Sequence, residues 1–178
     1  IASPAVQAAV GGMDDKRPSQ RKPLDLLRER VLARGANLDL ADHHYKEALD
    51  LEPQHDEARV RLARILTIDG QVKAAIPLLE RDPQSGDAVL RYYRFLFLGR
   101  AYEQTKRQKE ARAAYEAASR LFPDAQSPWL ALSALAAAAG DIEASRVALE
   151  RVVDRSEPLD DPWWVYDTCN GRNAGHIY

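Results

Sequence analysis

The sequence predicts an all-α fold, a solenoid of antiparallel helix pairs, and three observations carry that prediction. One pattern of apolar and small residues recurs. Leu98, Gly99, Tyr102 and Ala111 have counterparts 34 residues later at Leu132, Ser133, Ala136 and Ser145, and 36 residues earlier at Leu62, Ala63, Leu66 and Ala75. Within each copy the spacings are three and four, which places the side chains on one face of a helix. Each copy is also punctuated: Gly70 and Gly140 stand where a chain must reverse, and Pro53, Pro83 and Pro123 stand where a helix must stop.

Leu98 to Pro123 shows the unit most clearly. Leu98, Gly99 and Tyr102 form one helical face, and Ala111, Tyr115 and Ala118 form a second. Small residues let the two backbones approach, and the tyrosines fill the space around them. Ala41 and Tyr45 precede Ala75 and Leu79 by the same step of 34. Trp129, Leu132 and Ser133 match a W-x2-L-G opening, and Ala118 and Pro123 match a closing Ala and Pro. On these residues the chain resembles the tetratricopeptide repeat, over roughly Lys22 to Leu159. The resemblance implies a right-handed solenoid of about four repeats plus a partial C-terminal capping hairpin. It implies too that the first helix of each pair lines a concave face.

Taken in order, residues 1–21 read as a tail or linker, without sustained period. The first residue is not Met. The run Ala2 to Ala9 has the small-residue character of an export-signal boundary, so the expectation leans to an exported protein, periplasmic or at the cell surface. A start at Met13 behind foreign residues, with a cytoplasmic location, is the alternative. Residues 22–160 form the solenoid. Pro23 to Arg34 is a first helix, Gly35 turns the chain, and Asp39 to Leu51 is the second; this terminal pair is irregular, as end repeats are. Asp56 to Asp69 and Gln71 to Arg81 form the next pair, with Pro77 expected to bend the second helix. Ser85 or Asp87 caps a long aromatic helix from Ala88 to Gln104, whose extra N-terminal turn is expected to project beyond the stack. Pro128 to Ala139 and Ile142 to Val153 form the last pair. Residues 161–178 read as a partial cap: Asp161 as N-cap and Pro162 at the first helical position open a helix, and Asn170-Gly171 turns it.

Composition narrows the function. Over 178 residues, 46% hydrophobic and 29% charged, the formal net charge is −2, so no overall basic field exists to hold nucleic acid. No stretch reaches the roughly 18 uncharged apolar residues of a membrane span; the Ala-rich run 131–139 is too short. A single cysteine, Cys169, excludes an internal disulfide and any Cys-x-x-Cys metal motif. His43 and His44 are adjacent and so diverge by about 100° on a helix; with His55 and His176 they read as surface histidines, and no metal or cofactor is expected. Cys169 and His176 are the one Cys/His proximity, without an oxyanion hole or a third orienting group, so no catalytic residue is assigned. A glycine-rich phosphate loop is absent too.

Candidate binding residues come from the phase of the repeat. Arg64 and Arg100 are equivalent, and the resemblance places both on the concave face, with Arg61, Tyr93, Leu96, Glu103 and Gln104 nearby and Leu130, Ala134 and Ala137 continuing it without charge. Two stacked guanidinium groups suit a carboxylate or acidic peptide, with solvated arginines or a pair with Glu103 as the plainer account. The Lys/Asn set of the family's two-carboxylate clamp is missing, which disfavours a chaperone-tail receptor. Trp163, Trp164 and Tyr166 form a second candidate surface, either sealing the last repeat or docking another subunit. The expectation is a non-catalytic interaction scaffold or assembly subunit for a protein or peptide partner. The alternatives are a self-associating structural subunit, hence a homo-oligomer, and an accessory domain of a larger enzyme.

Overall fold

The computed structural model describes residues 23–153 and 161–163, with side chains from residue 37 onward. Seven helices follow one another: α1 (Pro23–Leu51), α2 (Asp56–Ile68), α3 (Val72–Glu80), α4 (Ala88–Gln104), α5 (Gln108–Leu121), α6 (Gln126–Ala138) and α7 (Ile142–Val153). The chain divides into two compact units, residues 1–39 and 40–178. The first contributes only the opening of α1 to the described residues. One expectation is corrected here: Gly35 does not turn the chain but lies inside the 29-residue α1. A glycine within a helix costs only about 1 kcal/mol, and no proline stands beside it to enforce a break.

In the second unit the pairs α2/α3, α4/α5 and α6/α7 stack in chain order. Their turns are in phase. Gly70 (φ 84°) and Gly140 (φ 80°) are left-handed, and the equivalent residue between α4 and α5 is Lys106, with φ 61°. The core is small residues against large ones. Ala63, Ala75, Ala101, Ala111 and Ala118 are fully buried, and Leu79, Phe97 and Tyr115 fill the gaps they leave. At Gly99 the helices leave no room for a side chain: an added Cβ would lie 2.7 Å from two Tyr115 ring atoms. Ser133 and Ser145 play the corresponding part in the last pair, with their hydroxyls 2.9 Å apart.

The extra turn of α4 does not project from the stack. Asp87 caps it, accepting from the Val89 and Leu90 amides at 2.8 and 3.2 Å, and Leu90 and Tyr92 are buried, Tyr92 completely. Its ring meets Phe122 edge-on at 5.1 Å. Two buried arginines complete the packing around the nine-residue α3, which carries Pro77 inside it and ends just before Asp82-Pro83. Arg59 donates to the Leu78 and Arg81 carbonyls and pairs with Asp56 at 2.6 Å. Arg94 donates to the Leu79 carbonyl at 2.9 Å and pairs with Asp82. The orphan carbonyls at the end of α3 are thereby satisfied by guanidinium groups from the helices on either side. None of the described helices is long and apolar enough to cross a membrane.

Candidate functional site

A groove of about 320 Å³ opens between α4 and α6, lined by Arg64, Leu96, Phe97, Arg100, Ser127, Leu130 and Trp163. Its position follows from the packing: α2 and α4 lie against each other, whereas α4 and α6 meet hardly at all. The repeat phase carries Arg64 on α2 and Arg100 on α4 to the same face. Arg64 lies 5.2 Å from the Phe97 ring centroid and 5.4 Å from that of Trp163, within the range of a cation–π contact. Arg100 is more open, its side chain 60% exposed, and bonds to Glu103 at 3.2 Å. Glu103 also accepts from the Tyr115 hydroxyl at 2.7 Å. Burial first, and then that carboxylate, push the Tyr115 hydroxyl above the ordinary tyrosine range.

The remaining sequence candidates distribute around this groove. Arg61 and Tyr93 line an adjoining hollow of about 200 Å³ with Val60, Asp87 and Phe97; Arg61 pairs with Glu57 at 2.7 Å. Gln104 lies apart, beside Gly70–Ala74 at the α2–α3 turn. Trp163, one of the C-terminal candidates, is brought to the groove itself. Trp164, Tyr166, Cys169 and His176 lie outside the described residues.

Asp161 anchors this approach. Its carboxylate is 2% exposed and accepts from the Tyr92 hydroxyl at 2.6 Å, the Ser127 amide at 2.8 Å and the Ser127 hydroxyl at 2.7 Å. The Trp163 amide, 2.9 Å away, donates to it as well, so the expected N-cap is formed. The Pro162 carbonyl accepts from Tyr93 at 2.8 Å, and the Trp163 ring meets Phe97 edge-on at 6.0 Å. Burial, and after it the Asp161 carboxylate, push the Tyr92 hydroxyl well above its ordinary range. Phe97, Tyr92 and Ser127 are the site residues that sequence reasoning missed. A signal existed: Ser127-Pro128-Trp129 recurs as Asp161-Pro162-Trp163 at the 34-residue step. Among the described residues no group of three or more His, Cys, Asp or Glu is placed to hold a metal ion.

The stacked pairs define a helical-repeat protein. Family models described as tetratricopeptide repeat match residues 32–88 and 94–124, and the gap between them is the extra turn of α4. Residues 32–88 and 94–124 are therefore tetratricopeptide repeats. A comparison with curated proteins returns no match. Among solved structures the chain is similar to MamA, residue 41 to the end, from Desulfovibrio magneticus RS-1, with a TM-score of 0.61, 22% identity and 76% of each chain covered. It is similar also to a MamA RS-1 ArsTM double mutant (TM-score 0.60, 23% identity, 69% of this chain and 68% of that one). A third, MamA MSR-1 C2, has a TM-score of 0.56 and 16% identity, covering 68% and 69%. At these identities the likeness shows the shared fold.

Proposed function

We propose that this chain is a non-catalytic protein-interaction scaffold whose groove between α4 and α6 binds a peptide segment bearing an acidic side chain beside an apolar one. The observation that carries the reading is the convergence of Arg64 and Arg100 with Leu96, Leu130 and Trp163 around one open groove. Guanidinium groups recognise carboxylates by charge-assisted, often bidentate bonds, and the leucines and rings offer apolar surface beside them. Leu130 is 41% exposed, an apolar side chain left uncovered at the groove's edge. The tetratricopeptide repeats support a partner that is a protein or peptide.

The test is selection of a displayed random peptide library on the chain, with affinities of the enriched peptides measured by titration. Enriched peptides are expected to carry Asp or Glu next to apolar residues. Arg64→Glu or Arg100→Glu is expected to weaken them about ten-fold or more, the scale of one charge-assisted bond lost. Enrichment without acidic residues, or affinities indifferent to both substitutions, sinks the reading.

A further inference from the structure

One end of the groove is already filled by the chain itself. The donors that hold Asp161 belong to α4 and α6. The Ser127 amide is in the first turn of α6, where backbone amides lack helical partners. Ala125, the residue before α6, supplies no side-chain cap. Tyr92 comes from the extra turn of α4, fully buried and aimed at the same point. The two helices thus build an anion pocket from neutral donors. Two residues further on, Phe97 and Arg64 frame a slot for a ring, and Tyr93 takes the carbonyl between.

We propose that these residues form a recognition site for a peptide segment carrying a carboxylate two residues before an aromatic ring. Asp161–Trp163 is the internal occupant, and a partner protein's segment of the same pattern displaces it. The inference rests on the groove being a peptide site and adds the ligand's chemistry. The occupant is three residues at a place where α4 and α6 hardly touch, and its indole borders the open part of the groove. Its departure breaks the bridge between α4 and α6 and leaves the packing within the pairs α4/α5 and α6/α7 in place. A tethered occupant acts at an effective concentration on the order of millimolar, so an outside segment meets a site that is mostly closed, and its apparent affinity falls by the closed fraction.

The probe is a labelled peptide spanning residues 159–167 of this sequence, added to the wild-type chain and to Asp161→Ala/Trp163→Ala, with binding followed by fluorescence anisotropy. The double variant is expected to bind it about ten-fold or more tightly than wild type does. Adding Tyr92→Phe and Ser127→Ala is expected to remove the gain. A peptide with Asn in place of its Asp161 is expected to bind about ten-fold more weakly, a comparison that leaves the protein untouched. If the double variant does not fold, Trp163→Leu takes its place with the same expectation. Equal affinity for wild type and variant, or no binding by a variant whose circular dichroism matches wild type, overturns the proposal. A wild-type dimer in light scattering that dissociates on adding the peptide assigns the site to a second copy and overturns the partner assignment. The controls here are Tyr92 and Ser127, whereas the acidic-groove reading is tested at Arg64 and Arg100, so the two readings fail separately.

Discussion

Asp56 shows how one side chain can hold two segments. It is 8% exposed, pairs with Arg59 at 2.6 Å, and accepts from the Gln84 and Ser85 amides at 2.6 and 3.1 Å. Burial by itself would raise its pKa. The bonds from Arg59 and from the two amides outweigh it, and the carboxyl is held below the usual range. A carboxylate with a depressed folded-state pKa contributes stability that is fully present above its unfolded value, about 4, and is lost as pH falls through the folded one. Asp56→Asn is therefore expected to cost about 2–4 kcal/mol at pH 7, since one partner of a buried pair is removed. It should also flatten the fall in stability below about pH 4. Urea unfolding of both proteins between pH 3 and 7 checks both halves, and parallel acid limbs would contradict the second. The sequence does not advertise this hub. Asp56 and Arg59 are three apart on a helix, like many solvated pairs, and only the short α3 with its exposed carbonyl end makes burial of a guanidinium worthwhile.

At the scale of the element, repeat phase made most of the fold legible. Ala88–Gln104 and Ile142–Val153 are found at the limits read from the sequence, because the capping Asp87 and the turn at Gly140-Asp141 mark where they start and the recurring small and apolar residues mark how far they run. The misreadings are places where that logic has no purchase. Gly35 is punctuation only if something else enforces the turn. The extra turn of α4 lies outside the repeat unit, so phase says nothing of what buries Tyr92. The α4–α5 turn shows the same logic working without the glycine. Lys106 sits at φ 61° where its equivalents are Gly70 and Gly140, a conformation that costs a side chain about 1–2 kcal/mol. Lys106→Gly is expected to stabilise the protein by about 0.5–1 kcal/mol, after the larger entropy of an unfolded glycine is deducted. The check is a rise in the urea midpoint at unchanged slope. No rise would mean that the Lys106 side chain offsets its own backbone strain.

Across the second unit, stability is distributed as in other repeat proteins, each pair leaning on its neighbours. The last pair has the weakest support. α6 packs on α5 and α7 but hardly on α4, and α7 leaves Ile142, Val147, Leu149 and Val153 exposed. What joins α4 to α6 is the Asp161 carboxylate, bonded to Tyr92 on one helix and Ser127 on the other. This part of the site was legible only in outline. Arg64, Arg100, Leu96 and Leu130 follow from phase, whereas the echo of Ser127-Pro128-Trp129 in Asp161-Pro162-Trp163 marks where a helix starts and not that Trp163 meets Phe97. The bridge has a consequence that differs along the chain. Asp161→Ala removes the cap of α6 and leaves the buried Tyr92 hydroxyl without its acceptor, a loss of about 1–3 kcal/mol. In a nearest-neighbour solenoid that loss falls on α6 and α7, while α2 and α3 keep their own arginine-capped contacts. Amide hydrogen exchange is expected to speed up about ten-fold or more in α6 and α7 and to stay near wild-type rates in α2 and α3. A uniform acceleration across all the helices would show instead that the pairs unfold as one body, with Asp161 supporting the whole stack.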